Sequence, residues 1–273
     1  MTKPQPQQSS GFFARVLEQP YLLLVLAPLF WGGNVVAAKL TVGQIDPFLL
    51  LASRCVLATS FILPFAWPHL KGDWGVVRRQ WPVLMAYGAV GYALFNGFLY
   101  LGLQTTTAVN SAIEQGSLPM LILGANFILF RVRAQFIQIL GVLLAITGVV
   151  LTATHGDLLR ILTLDINAGD GFVMLACLAY TSYTLALRFR PKMHILSFMA
   201  VSFSGAAITS VVMLAFSPGG LGQVATLTSA PPVVWAVIAY VAVFPSMFSQ
   251  VAYARGVELV GANRAAPSHN LIP

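Results

Sequence analysis

The sequence predicts an all-α integral membrane protein: a ten-helix bundle of two inverted five-helix repeats, with the chain ending within the ninth helix. Three observations carry that expectation: composition, the length of the apolar runs and internal self-similarity. Of the 273 residues, 58% are hydrophobic and 8% charged, and the mean hydropathy is +0.80, against about 25% charged residues in soluble domains. The net charge of +7 would suit a nucleic-acid binder, but the basic residues fall in short clusters between apolar runs, where they act as orientation signals. No nucleic-acid partner is expected.

A polar tail over 1–20 precedes the first apolar run, 21–40, which lacks a small-residue cleavage site and reads as an uncleaved span. A crossing helix needs about 20 apolar residues. Further runs of that length are expected at 48–68, 82–102, 107–130, 135–154, 170–189, 195–216 and 232–254, with a ninth starting near Gly261 and stopping at Pro273. Lysines and arginines crowd alternate loops: Lys3 and Arg15, then Lys71, Arg78 and Arg79, then Arg131 and Arg133, then Arg188, Arg190 and Lys192, then Arg255 and Arg264. By the positive-inside rule the N-terminus is cytoplasmic. Trp67, Trp74 and Trp81 surround the loop of Lys71, Arg78 and Arg79, where interfacial anchors belong.

Self-similarity orders the spans. "LFWGGNVVAAKL" at Leu29 to Leu40 lies over "LAYTSYTLALRF" at Leu178 to Phe189, pairing Trp31 with Tyr180 and Lys39 with Arg188. "GLQTTTAVNSAIEQGSLP" ending at Pro119 lies over "GVELVGANRAAPSHNLIP" ending at Pro273. Equivalent positions are five helices apart, an odd number, so the second copy is inverted and the substrate site falls near mid-membrane between the halves. The expected organisation is a first repeat over 21–154, a linker loop over 155–169 and a second repeat over 170–273, C-terminally incomplete because the residues after Pro119 have no counterpart in it.

Polar residues inside the spans are the candidate functional groups. Asn110, Glu114 and Ser117 share one stripe of the fourth helix. Glu114 matches Arg54 in depth, so it is either half of a structural ion pair with Arg54 or a substrate or proton contact. Tyr92, Asn96 and Tyr100 recur on the third helix, opposite Ser246, Gln250 and Tyr253 on the eighth. They line a cavity for a zwitterion with an aromatic side chain, or else they bond the helices together. Trp31 lies mid-span, away from both interfaces, beside Gly32, Gly33 and Asn34, and joins Asn34 as a substrate-binding candidate. Pro119 and Pro267 are expected helix kinks. His269 is either a titrating group in coupling or a structural hydrogen-bond donor. Cys55 and Cys177 have neither CxxC spacing nor neighbouring histidines, so no metal site and no disulfide are expected.

"FWGGNVVAAK", the Asp-Pro of "QIDPFLLLASRCVLA" with its Arg54, "NGFLYLGLQTTTAVNSAIEQGSLPML" and "QILGVLLAITGVVL" together resemble the EamA family of the drug/metabolite transporter superfamily. Within it the chain looks most like the YddG-type amino-acid exporters. The resemblance implies ten helices in two inverted halves and efflux of aromatic and other neutral amino acids across a bacterial inner membrane. In one departure, the Gly-Glu pair that many relatives carry after the fourth helix is replaced here by "LFRVRAQF".

The expected function is secondary transport by alternating access, with an amino acid as the small-molecule substrate, the lipid bilayer as surroundings, no cofactor and a monomeric state. Coupling would run through Glu114 or His269, or be absent. No Walker motif is present to drive transport with ATP. Efflux of cationic aromatic drugs or another small metabolite is the alternative, through Glu114 and the tyrosines. A membrane-embedded hydrolase would rest on Ser268 beside His269, but adjacent helical residues face different ways.

Overall fold

The computed structural model describes residues 18–133, 135–153 and 167–271, so most of the expected tail and linker lies outside the described residues. The first helix, α1 (Pro20–Leu40), runs unbroken through Gly32 and Gly33. A Cβ on Gly33 would overlap the Tyr240 hydroxyl. Gly33 thus serves close packing of the first crossing on Tyr240.

Asp46 caps the next helix, accepting the Phe48 and Leu49 N–H groups at 2.8 and 3.1 Å, and Pro47 takes the first turn, where a missing N–H costs nothing. This run, α2 (Pro47–Gly88), leaves helical geometry only at Gln80 (φ −124°, ψ 16°). It nevertheless holds two crossings. Thr59 near its start bonds the Phe203 carbonyl, while Gly88 at its end lies where a Cβ would meet the Ser202 carbonyl oxygen. Both limbs therefore stand beside the same turns of one partner, α8 (Ile195–Ala215).

The second limb passes through a π-helical turn, Ala89–Leu94, into α3 (Phe95–Thr105). The fourth crossing is broken in two, α4 (Ala108–Gln115) and α5 (Leu118–Phe130), with Pro119 in the first turn of the lower piece. Its ring displaces the backbone four residues earlier, so the break at Gly116–Ser117 falls where a proline kink belongs. The chain continues through α6 (Phe136–Ala153), α7 (Ala168–Ala186) and α8. The eighth crossing is α9 (Pro232–Val241), a second π-helical turn at Ala242–Phe248, and α10 (Ser249–Val260). After a short α11 (Ala262–Ala265), Pro267 lies in the 3-10 turn Ala266–Leu271, so it bends no long helix; the His269 side chain lies outside the described residues.

Among the described residues, six helical runs are long and apolar enough to cross a membrane, and the Pro47–Thr105 run doubles back within that number. All eight expected spans coincide with helices. Exposure follows membrane logic: Phe65, Ile128 and Phe136 are 66%, 71% and 79% exposed, while Asn34, Arg54, Asn96 and Gln250 are buried. Apolar side chains face lipid and polar ones face the bundle interior. Among the described residues the basic loops gather at one end, where the ring of His69 stacks on that of His194 and Asp73 accepts the His194 N–H.

Candidate functional site

At each π-turn, polar side chains add hydrogen bonds to backbone carbonyls of the irregular segment. Asn96 donates its Nδ2 to the Tyr92 carbonyl at 2.8 Å. In the other turn Pro245 has no N–H to donate, and the Ser246 and Ser249 hydroxyls donate back five residues to the carbonyls of Val241 and Phe244. The polar stripes of the third and eighth crossings thus have a local structural job, and what remains of their bonding capacity points at one residue.

That residue is Arg54, on α2 and only 3% exposed. Its Nη1 donates to Asn34 Oδ1 (3.1 Å), Asn96 Oδ1 (2.7 Å) and the Tyr100 hydroxyl (2.6 Å). Its Nε and Nη2 both donate to the Ser246 hydroxyl oxygen, at 3.0 and 2.6 Å. The Tyr100 hydroxyl in turn donates a hydrogen bond to Asn34 Oδ1 at 2.8 Å. Four helical crossings meet at this guanidinium, and all its acceptors are neutral.

An aromatic wall stands next to it. Trp31 donates Nε1–H to the Pro245 carbonyl at 3.1 Å and packs edge-on against Tyr180 and Tyr253, with centroids 5.6 and 5.3 Å away. Tyr180 leads to Tyr183, which meets Tyr92 through a 3.0 Å hydroxyl contact. Trp31 and Tyr180, paired in the sequence as repeat equivalents, touch in space. Gln250 lies buried one turn beyond Ser246, its Oε1 without a hydrogen-bond partner among the described residues.

The expected ion pair between Arg54 and Glu114 does not form. Glu114 lies instead against Asp170 at the start of α7, with the Cys177 thiol on its backbone carbonyl at 3.8 Å. Asp170 is engaged in turn by the Thr106 hydroxyl and by the Asn167 N–H of a capping box. Matched depth along two helices fixed the height of the two groups but not their direction around the axis. The buried face of α4 carries Ser111 and Gln115, with Asn110 and Glu114 only half-buried beside it. Asn110, whose N–H caps onto Thr107, stands apart from the Arg54 cluster.

Lys39 also has a definite partner: its ammonium donates to the carbonyls of Leu103 and Thr106, at 2.7 and 2.8 Å, and so closes the end of α3. At the basic end, a cavity of about 470 Å³ opens between Arg188, Arg190, Lys192, Ala254 and Val257. Its acid, Glu258, is already shared by Arg190 at 2.9 Å and Arg255 at 2.8 Å. Those are the ion pairs among the described residues, and neither includes Arg54.

Sequence reasoning missed the role of Arg54, the Glu114–Asp170 contact and two wall residues, Tyr183 and Phe95, the latter with its ring centroid 4.9 Å from that of Tyr180. Only Tyr180 had a signal, its alignment with Trp31.

Comparison with known proteins agrees with this architecture. Residues 19–154 match the EamA-like transporter family. The chain is 28% identical over 93% of its length to YyaM, an uncharacterised transporter of Bacillus subtilis, spanning 82% of that protein. It is 25% identical over 99% of its length to YetK, a second uncharacterised B. subtilis transporter, spanning 81% of it. A solved crystal structure superposes with a TM-score of 0.66 at 19% identity, covering 93% of this chain and 86% of the other, and shows the same fold. The chain is a multi-pass membrane protein related through residues 19–154 to the EamA-like transporter family and, over nearly its whole length, to bacterial transporters.

Proposed function

We propose that the protein is a secondary transporter that exports amino acids, aromatic and other neutral ones, across the bacterial inner membrane by alternating access. The observation that carries this reading is the mid-bundle cluster of Arg54, Asn34, Asn96, Tyr100 and Ser246 against the aromatic wall of Trp31, Tyr180 and Tyr253. It joins polar groups suited to a zwitterion with a surface suited to an apolar or aromatic side chain.

An inverted-repeat plan of ten helices supports the alternating mechanism. The two π-turns fall at equivalent places on the third and eighth crossings. The first crossing packs on the eighth as the sixth packs on the third. With the N-terminus in the cytoplasm, the basic end is the cytoplasmic one, and its cavity is the vestibule through which substrate arrives.

Counterflow in proteoliposomes tests the reading, with aromatic, aliphatic and polar amino acids beside a cationic aromatic dye. Amino-acid exchange that falls on Trp31→Ala supports it. Exchange of the dye alone overturns it in favour of drug efflux, for which the aromatic wall would serve by cation–π contact.

A further inference from the structure

We propose that the Nε/Nη2 edge of Arg54 is a carboxylate receptor held shut by Ser246, and that a substrate carboxylate displaces the serine hydroxyl and releases the π-turn carrying it. The inference rests on the central site proposed above and assigns its substrate class.

A guanidinium presents five N–H donors in a planar fork, and the Nε/Nη2 edge matches the two oxygens of a carboxylate. In this protein that edge converges on one neutral oxygen, Ser246 Oγ, at 3.0 and 2.6 Å. The opposite edge is saturated by Asn34, Asn96 and Tyr100, which fix the plane of the group and the direction in which the free edge faces. One N–H of Nη2 is left without an acceptor among the described residues. A buried cation costs several kcal/mol unless it is paired with an anion, and no described carboxylate reaches it. An incoming carboxylate supplies both the missing charge and the second oxygen.

Ser246 is suited to be displaced. Its hydroxyl donates to the Val241 carbonyl at 2.6 Å across the π-turn, so the same oxygen closes the Arg54 fork and braces the irregular backbone of the eighth crossing. Removing it from the fork uncouples α2 from that turn. The Arg-rich cavity at the basic end favours the same ligand charge, because its Glu258 is already engaged by two arginines.

The experiment uses the full chain in lipid nanodiscs and two readouts. The first needs no ligand. Ser246→Asp tethers a carboxylate to the fork and should raise Tm above both wild type and the uncharged Ser246→Asn. The second measures binding of phenylalanine, 3-phenylpropionate and 2-phenylethylamine. The two carboxylates should bind and the amine should not, and Arg54→Lys, which keeps charge but loses the fork, should weaken binding at least about tenfold. A Tm for Ser246→Asp no higher than for Ser246→Asn overturns the receptor, as does amine binding as tight as phenylalanine binding. Stabilisation by Ser246→Asp with none of the three probes bound supports the receptor and instead removes the aromatic amino-acid reading. If Ser246→Asp does not fold, the probe panel on the wild type decides.

Discussion

The indole N–H of Trp31 donates to the carbonyl oxygen of Pro245 at 3.1 Å, joining the middle of the first crossing to the π-turn of the eighth. A backbone carbonyl inside the proline-bearing π-turn thereby accepts a side-chain donor from the first crossing. Trp31→Phe keeps the ring packing on Tyr180 and Tyr253 but loses this bond, which contributes about 0.5–1.5 kcal/mol. Counterflow should fall about two- to tenfold, with expression unchanged. Undiminished exchange would remove the bond from the transport cycle.

Gly88 and Gly205 let α2 and α8 touch backbone to backbone. A Cβ on Gly88 would overlap the Ser202 carbonyl oxygen, and one on Gly205 the Met85 carbonyl oxygen. Backbone cannot swing aside as a flexible side chain can, so either alanine substitution should cost at least the ~1–3 kcal/mol of core overpacking. Gly124→Ala, with nothing within 4 Å of the added methyl, is the control. Equal melting curves for Gly88→Ala and Gly124→Ala would refute this packing.

Lys39→Met strips the carbonyls of Leu103 and Thr106 of their donor. Hydrogen bonds from a charged donor contribute about 1.5–3 kcal/mol, so Tm should fall and Lys39→Arg should restore part of it. A methionine variant as stable as wild type would show that water serves these carbonyls equally well.

An acid response is expected from His194 at the basic end. Its imidazole is held below the usual 6.5, first by burial and then by His69 stacked on it, with Asp73 pulling the other way. The neutral ring accepts the Leu196 N–H on Nδ1 at 3.2 Å, a cap that protonation destroys. A group whose folded pKa is depressed below its unfolded value takes up its proton more readily unfolded. Stability should therefore fall as pH drops through about 6.5 and level off below the depressed folded value. Tm measured from pH 8 to 5 should show this decline in wild type and a flatter profile in His194→Gln. Identical profiles would assign the decline to other groups.

The fold was legible in the sequence wherever the signal was additive. Twenty-residue apolar runs and alternating basic loops located eight crossings to within a few residues, because burial in lipid sums over a whole helix. What depends on direction around a helix axis was not legible. Arg54 and Glu114 were matched by depth, yet α4 turns its buried face, Ser111 and Gln115, away from that line and leaves Glu114 to Asp170. The reversal within Pro47–Gly88 was legible from the basic stretch between the 48–68 and 82–102 runs, but not its form: the chain turns through helix, with Gln80 the one non-helical residue. The π-turns leave no periodic trace, although Pro245 and the polar residues Asn96, Ser246 and Ser249 sit in or just after them. The sequence alignment of the two segments did pair Trp31 with Tyr180, which touch in the structure.

The paired π-turns give the third and eighth crossings a property that a regular helix lacks. Each is a helix with one surplus residue, equivalent to a dislocation in a lattice. Shifting the surplus by one position exchanges an i→i+5 bond for an i→i+4 bond and turns the residue it passes by about 100°. A dislocation that glides in this way re-aims side chains at mid-membrane while both helix ends stay anchored. Such a glide would change what the centre presents without pulling the helix ends apart.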